Sequence, residues 1–172
     1  MVFRKMFKPR PAELAGRALY AAAVAQARRP AFYMLLGAED TPPGRYEIYT
    51  LHVVLLLRRL KGNGEQAAET AQALFDAYLA GLDIALRELG TGDLSMAKKM
   101  KALGRAFYGR VKAYEDAFAA LPDEAPLRDL FERTVGDGAQ LFAYAMAAEA
   151  CLAGQATQTL LAGEAAFPEP AP

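Results

Sequence analysis

The sequence predicts an all-α protein, a single-domain compact bundle of about six helices, on three observations. Ala has the highest helix propensity and supplies about a fifth of the 172 residues, whereas Val, Ile and Thr are sparse. Hydrophobic residues make up 53% of the chain, which is enough to build a core and excludes global disorder. Apolar residues recur at intervals of three and four, which is the period of an amphipathic helix.

Turn signals divide the first half of the chain into helices. Pro11 suits a first helical turn, where its missing N–H costs no hydrogen bond. Pro30 opens a short apolar segment, and the turn over 40–44 supplies a cap for the next helix. Gly62 and Gly64 are a strong stop signal. The predicted helical segments in this half are Ala12–Gln26, Ala31–Leu36, Arg45–Leu60 and Glu65–Leu89.

Glycine and proline also divide the second half. Gly90 and Gly92 end one helix before the next begins, Pro122 and Pro126 isolate a short helix, and the Gly-Asp-Gly of 136–138 ends it. The predicted helices are Leu94–Leu121, Leu127–Thr134 and Gln140–Leu152, the last of which is expected to resume after Gly154 and to run to Leu161. The expected organisation is a basic segment over 1–10, a helical domain over 11–163 and a Pro-rich disordered tail over 164–172.

The zero net charge of the chain conceals a strong asymmetry. Residues 1–61 contain eleven basic and four acidic side chains, so their net charge is +7, and residues 62–172 carry the compensating −7. Such a dipolar chain steers a charged partner without being a general binder of polyanions. The single Cys excludes a disulfide framework and a multi-cysteine metal site.

The N-terminal segment MVFRKMFKPR has four positive charges and no acid, and two interpretations of it stay open. It is either a solvated terminus or an interfacial anchor whose aromatic rings and cations contact anionic lipid headgroups. The anchor hypothesis rests on Phe3, Arg4, Lys5, Phe7 and Lys8. The Ala-rich stretch over 18–27 is too polar for a signal peptide, and no apolar run reaches the ~18 residues that cross a bilayer.

The predicted helix over 45–60 is apolar on every side from Leu51 to Leu57 except at His52, so we expect it to form the buried axis of the bundle. His52 is the only histidine. It is either a hydrogen-bonded core residue or the general base of a small helical enzyme, which would need a pocket and a neighbouring carboxylate. Cys151 is predicted to be a small buried hydrophobic residue.

The predicted helix over 94–121 has two opposite faces. Apolar residues, among them Met96, Met100 and Phe107, repeat along one face and are either ordinary core or the lining of an adaptable groove. The other face is basic, and no acidic residue occurs between Asp93 and Glu115. It is either a solvated surface or a docking face for rRNA, anionic lipid or an acidic protein. The residues of this basic stripe are Lys98, Lys101, Arg105, Tyr108 and Lys112.

Residues 30–120 contain an ordered set of short motifs that resembles the ubiquinol–cytochrome c chaperone family, particularly its bacterial form. The family-like positions are Asp40, Thr41, Arg45, His52, Arg59, Asp83, Arg87, Glu88, Asp93, Phe107, Tyr108, Gly109, Arg110 and Tyr114. Beyond residue 120 the resemblance fades, so the acidic C-terminal third inherits no role.

The resemblance implies a compact all-α, non-enzymatic assembly factor for ubiquinol–cytochrome c reductase, the cytochrome bc1 complex or complex III. Its client would be newly made cytochrome b, with the ribosome near the tunnel exit as a further partner. The basic residues of the chain, and not the resemblance, add an anionic inner-membrane surface to the expected partners. It would act in the cytoplasm, at the cytoplasmic face of the inner membrane, as relatives do on the mitochondrial matrix side. Neither a cofactor, nor a metal ion, nor specific DNA binding is expected.

Two other functions stay open on the residues alone. A ribosome- or RNA-binding helical module would use the basic stripe, although the overall pI of about 6.6 disfavours it. An enzyme would have to use His52, since the chain lacks the usual nucleophile, phosphate-binding and zinc motifs.

Overall fold

The computed structural model describes residues 9–136 and 138–171, and every regular element within them is an α-helix. The helices are α1 (Pro11–Ala27), α2 (Ala31–Met34), α3 (Pro42–Leu60), α4 (Glu65–Glu88), α5 (Asp93–Ala119), α6 (Ala125–Val135), α7 (Gly138–Ala153) and α8 (Thr157–Leu161). Since α2 and α8 are short, six longer helices build the bundle, which confirms the predicted all-α class. The residues of the lipid-anchor hypothesis, Phe3, Arg4, Lys5, Phe7 and Lys8, lie outside the described ranges.

Helix α3 is the axis of the bundle. It packs against α1, α4, α5, α6 and α7, and the six consecutive residues from Leu51 to Leu56 are all buried. A helix segment surrounded on every side has no need of a polar stripe, which is why the sequence from Leu51 to Leu57 is apolar except at His52. The helix begins three residues before the predicted start, because Pro42 and Pro43 occupy its first turn and Thr41 caps it, accepting a hydrogen bond from the Gly44 amide at 3.2 Å.

Helices α1 and α4 approach each other closely at Gly16. A Cβ added there would lie 2.5 Å from Ala73 Cβ and 2.6 Å from the backbone nitrogen of Leu74. The missing side chain of Gly16 therefore allows this contact, and a methyl group would force the two helix backbones apart.

We expect Gly16→Ala to lower the free energy of unfolding by about 2 kcal/mol, because the overpacking cost exceeds the gain in helix propensity. Gly104→Ala is the matched control, since no atom lies within 4 Å of a Cβ there, and it should raise stability by up to about 1 kcal/mol. Urea denaturation of both variants measures the difference. Equal effects at the two positions would contradict the close packing of α1 on α4.

Residues 164–171 differ from the disordered tail that their composition predicts. This segment has no regular secondary structure, yet Gln26 Nε2 donates to Pro168 O at 2.7 Å and Arg29 pairs with Glu169. The Ala166 amide donates to Gln155 Oε1 at 2.8 Å, and Gln155 Nε2 donates back to Ala166 O at 2.9 Å. Side-chain amides thus satisfy an extended backbone that forms no ladder of its own.

Candidate functional site

The family-like residues Asp40, Thr41 and Arg45 lie at the start of α3. Arg45 Nε donates to Asp40 Oδ1 at 2.6 Å, and its guanidinium lies 4.9 Å from the centroid of the Tyr33 ring. The ion pair and the ring hold Arg45 beside the capped first turn of α3. These contacts fix the position of the first turn of α3.

Arg59 has a structural role at the opposite end of α3. Its guanidinium donates to Leu152 O at 2.9 Å, to Gln155 O at 2.6 Å and to Thr157 Oγ1 at 3.1 Å. The last carbonyls of a helix lack partners within the helix, so Arg59 satisfies the end of α7 and joins it to α3.

Arg110 and Glu47 form a largely buried ion pair between α5 and α3. Arg110 Nη2 lies 2.6 Å from Glu47 Oε1, and Glu47 is only 8% exposed. Tyr114, one turn further along α5, is completely buried, and burial raises the pKa of its hydroxyl. The pair fixes the rotation and register of α5 against the central helix.

Arg87 connects the end of α4 to the start of α5. Its guanidinium contacts Asp83 at 2.8 Å, the i,i+4 surface pair expected from the spacing, and also Asp93 at 3.0 Å. The Thr91 amide donates to Leu86 O at 3.0 Å in the turn between the helices. The α4–α5 hairpin therefore has a defined tip.

His52 is a core residue in a chain of hydrogen bonds. Its Nδ1 lies 2.7 Å from Ile48 O, which can only accept, so Nδ1 carries the proton. Nε2 then accepts from the Tyr144 hydroxyl at 2.7 Å, and that hydroxyl accepts from Gln26 Nε2 at 3.0 Å. Burial lowers the pKa of His52 to about 4.

The surroundings of His52 give no support to the enzyme hypothesis. The residue is completely buried, its two ring nitrogens contact a backbone carbonyl and a tyrosine hydroxyl, and the rings of Phe32 and Phe167 pack on it. A general base would need an open pocket and a partner carboxylate at this position. The hydrogen bond to Tyr144 instead joins α3 to α7, and Gln26 of α1 extends this network by donating to the Tyr144 hydroxyl and to Pro168 O.

An open apolar groove lies between the N-terminal end of α3, the C-terminal half of α4 and the first half of α5. We call it groove A; its volume is about 610 Å³, within the range of ligand pockets. Its lining residues are Arg28, Pro42, Pro43, Arg45, Tyr46, Tyr49, Leu82, Ala85, Leu86, Glu88, Leu89 and Leu103. Leu89 at its rim is 64% exposed.

A second groove, groove B, also has a volume of about 610 Å³ and lies at the other end of α3. It is lined by Phe75, Phe107, Tyr108 and Val111 among others. Lys61 and Glu115, which form an ion pair at 2.5 Å, also line it. A ligand entering groove B would meet this ion pair at the wall.

The predicted basic stripe divides into two parts. Lys98, Lys101 and Arg105 are exposed and have no ion-pair partner among the described residues, whereas Lys112 pairs with Asp116 at 2.7 Å. Tyr108 packs its ring 5.5 Å from that of Phe75 and lines groove B. The acidic C-terminal third, as far as the structure describes it, does not neutralise the three free cations.

The adaptable-groove hypothesis for the methionines of α5 is not supported. Met96 is buried, Met100 is half-buried, and neither lines groove A or groove B. Phe107 is part of the core and forms the floor of groove B. Cys151 is half-buried, more exposed than expected, and its Sγ contacts Ala166 O at 3.5 Å.

Groove A is the feature that sequence reasoning missed. The spacing of Leu82, Leu86 and Leu89 is that of one core-facing stripe of α4, but the stripe extends beyond the end of the core. The only local signal is the run of leucines continuing to the glycine turn. Spacing identifies an apolar face, and the length of the neighbouring helices decides how much of it is covered.

Within the described ranges, no three His, Cys, Asp or Glu side chains are grouped so that they could hold a metal ion. Among the same residues, no helix combines the length and the apolar character that crossing a membrane requires.

An all-α bundle with a buried apolar core, open apolar grooves and an unpaired basic surface offers the kind of groove in which proteins bind helical segments of other chains. The comparisons agree with this class. A family profile described as ubiquinol-cytochrome C chaperone matches residues 34–167. The chain therefore belongs to the ubiquinol–cytochrome c chaperone family, as the motifs of residues 30–120 predict, and the match extends well into the C-terminal third.

A solved structure supports the same assignment. The crystal structure of the Cbp3 homolog from Brucella abortus has a TM-score of 0.83 and 35% sequence identity with this chain. The similarity covers 93% of this chain and 92% of that one. No curated protein sequence matches significantly.

Proposed function

We propose that this protein is an assembly chaperone of the cytochrome bc1 complex that binds newly made cytochrome b, and that groove A receives the client. Membership of the ubiquinol–cytochrome c chaperone family supports the assembly role. The observation that carries the location is the open apolar wall of Leu86, Leu89 and Leu103, contributed by two helices.

Groove A suits an apolar helical segment better than groove B does. The charged residues of groove A lie among an otherwise largely apolar lining. One of them, Arg45, is already held by an ion pair with Asp40 and by the ring of Tyr33. The Lys61–Glu115 ion pair lies in the wall of groove B, and a docking segment would have to desolvate it. Recognition at groove A would be of the helix-in-groove type, in which residues at i, i+3, i+4 and i+7 of the guest fill the cleft.

A newly made membrane subunit needs its apolar segments shielded from water until it is assembled. Each leucine-sized side chain that leaves water gains about 1.5–3 kcal/mol, so a few anchors in groove A suffice for useful affinity after the cost of association. The expected client contact is therefore apolar and weakly dependent on salt.

The test is complementation of a strain in which the gene is deleted. We expect the deletion to lower cytochrome b and complex III, measured by reduced-minus-oxidised haem spectra and native gels. Leu86→Glu with Leu103→Glu should fail to restore them and should not co-purify cytochrome b, because two carboxylates would be buried by the client.

The matched control is Leu57→Glu with Val111→Glu, which places two carboxylates at half-buried positions lining groove B. Thermal unfolding of both variants shows that they are folded. Normal complex III in the deletion strain would refute the assembly role. Loss of cytochrome b binding in the groove B variant, with binding retained in the groove A variant, would refute the location.

A further inference from the structure

We propose that the tip of the α4–α5 hairpin binds the surface of an anionic lipid membrane. The tip face consists of Leu94, Lys98, Lys101 and Arg105. The face is distinct from groove A, so the proposal does not depend on what groove A binds.

The four residues share one side of α5. At 100° per residue their directions fall within about 60° of each other, on the side opposite the buried Met96 and Phe107. Between residues 94 and 114 the chain has six Lys or Arg residues and no Asp or Glu. Of these six, the three on the tip face have no ion-pair partner in the described ranges.

The other cations of α5 are engaged within the protein. Arg110 pairs with Glu47, Lys112 with Asp116, and Lys99 Nζ donates to Thr91 Oγ1 at 2.9 Å. The two aspartates nearest the tip, Asp83 and Asp93, both contact Arg87, whose single positive charge offsets one of their two negative charges. The tip face is therefore a positively charged surface on a chain whose net charge is zero.

Exposed leucines flank the turn between α4 and α5. Leu94, on the tip face, is completely exposed, and Leu89, at the end of α4 and the rim of groove A, is 64% exposed. Seven large hydrophobic residues are exposed in the described part of the chain, and these two lie on either side of the same turn. Scattered exposed leucines need no explanation, but leucines grouped beside unpaired cations form an interfacial surface.

The combination favours lipid over nucleic acid. Phosphates of RNA would pair with the cations but gain nothing from Leu94, whereas a bilayer accepts the leucine below its headgroups and the cations beside them. The Arg87 contacts and the turn at Thr91 hold the tip in this arrangement, so binding costs little ordering.

Co-sedimentation of the full chain with vesicles tests the proposal. We expect binding to vesicles of phosphatidylglycerol and phosphatidylcholine, and little to phosphatidylcholine alone. The triple variant Lys98→Gln, Lys101→Gln, Arg105→Gln should bind the anionic vesicles about a hundredfold more weakly.

A control variant removes an equal number of positive charges from exposed positions away from the tip, by Arg17→Gln, Lys61→Gln and Arg133→Gln. It should bind anionic vesicles within about threefold of the wild-type affinity. Equal affinity of the wild type and the tip variant would overturn the proposal and assign binding to other residues, the N-terminal segment included.

A fluorescence reporter distinguishes lipid from RNA. The chain contains no Trp, so Leu94→Trp introduces a single emitter at the tip, and Leu14→Trp places one at an exposed position of α1. Anionic vesicles should shift the emission of the first variant to shorter wavelength and leave the second unchanged. No shift at Leu94→Trp, or tip-dependent binding of ribosomal RNA without tip-dependent binding of vesicles, would overturn the proposal.

Discussion

Replacing Arg110 by alanine is expected to lower the free energy of unfolding by about 3 kcal/mol, because the Glu47 carboxylate would remain in the interior without its partner. The Arg110 side chain is itself about a quarter exposed, so water would relieve part of the penalty. The cost is therefore placed at the low end for breaking a buried pair. Urea denaturation of the purified protein measures it.

The control is Lys112→Ala, which breaks the exposed pair with Asp116 on the same helix and should leave the free energy of unfolding nearly unchanged. The double variant Glu47→Leu, Arg110→Leu should recover most of the loss, because it removes both charges together. If Arg110→Ala proves no more costly than Lys112→Ala, the ion pair does not hold α5 on α3.

The stability of the protein is expected to fall by about 2 kcal/mol between pH 7 and pH 5 through His52 alone. The folded pKa is about 4, against about 6.5 for an unfolded histidine. Between these values the unfolded chain takes up a proton that the folded chain does not, so protonation favours unfolding. The His52 contribution is fully present above pH 6.5 and is lost as the pH falls toward 4.

Two measurements isolate this effect. Because His52 is the only histidine, its imidazole proton resonances are a single signal, which should not titrate between pH 8 and about pH 5. His52→Gln should flatten the stability profile over the same range, leaving only the carboxylates, which titrate lower. An imidazole that titrates near 6.5 in the folded protein would show that His52 is hydrated and not enclosed.

The helices themselves were predictable because their signals are local. Prolines 11 and 30 and the glycines after residues 60, 89 and 135 delimit the segments, and predicted and observed bounds agree within three residues. The central position of α3 followed from the run over Leu51–Leu57, which is apolar except at His52. The ordered motifs of residues 30–120 identified the family, and the profile match confirms it.

The contacts that build the site were not predictable from periodicity. Arg110 lies 63 residues from Glu47 and His52 lies 92 from Tyr144, and nothing in the local pattern selects either partner. Tyr108 belongs to the basic stripe by its spacing, but in the structure it packs on Phe75 from α4. The Pro-rich C-terminal segment has the composition of a disordered tail, yet Gln26 and Gln155 hydrogen-bond its carbonyls.

The amino-acid sequence alone determined the helical class, the helix bounds, the buried axis and the cationic face of α5, because each depends on residues within a few turns of one another. Tertiary structure alone decided which charges are paired, that His52 is enclosed, and that the leucines at the end of α4 line a groove. Burial and pairing depend on distant segments meeting in space, and that information is shared among several helices rather than contained in any one of them.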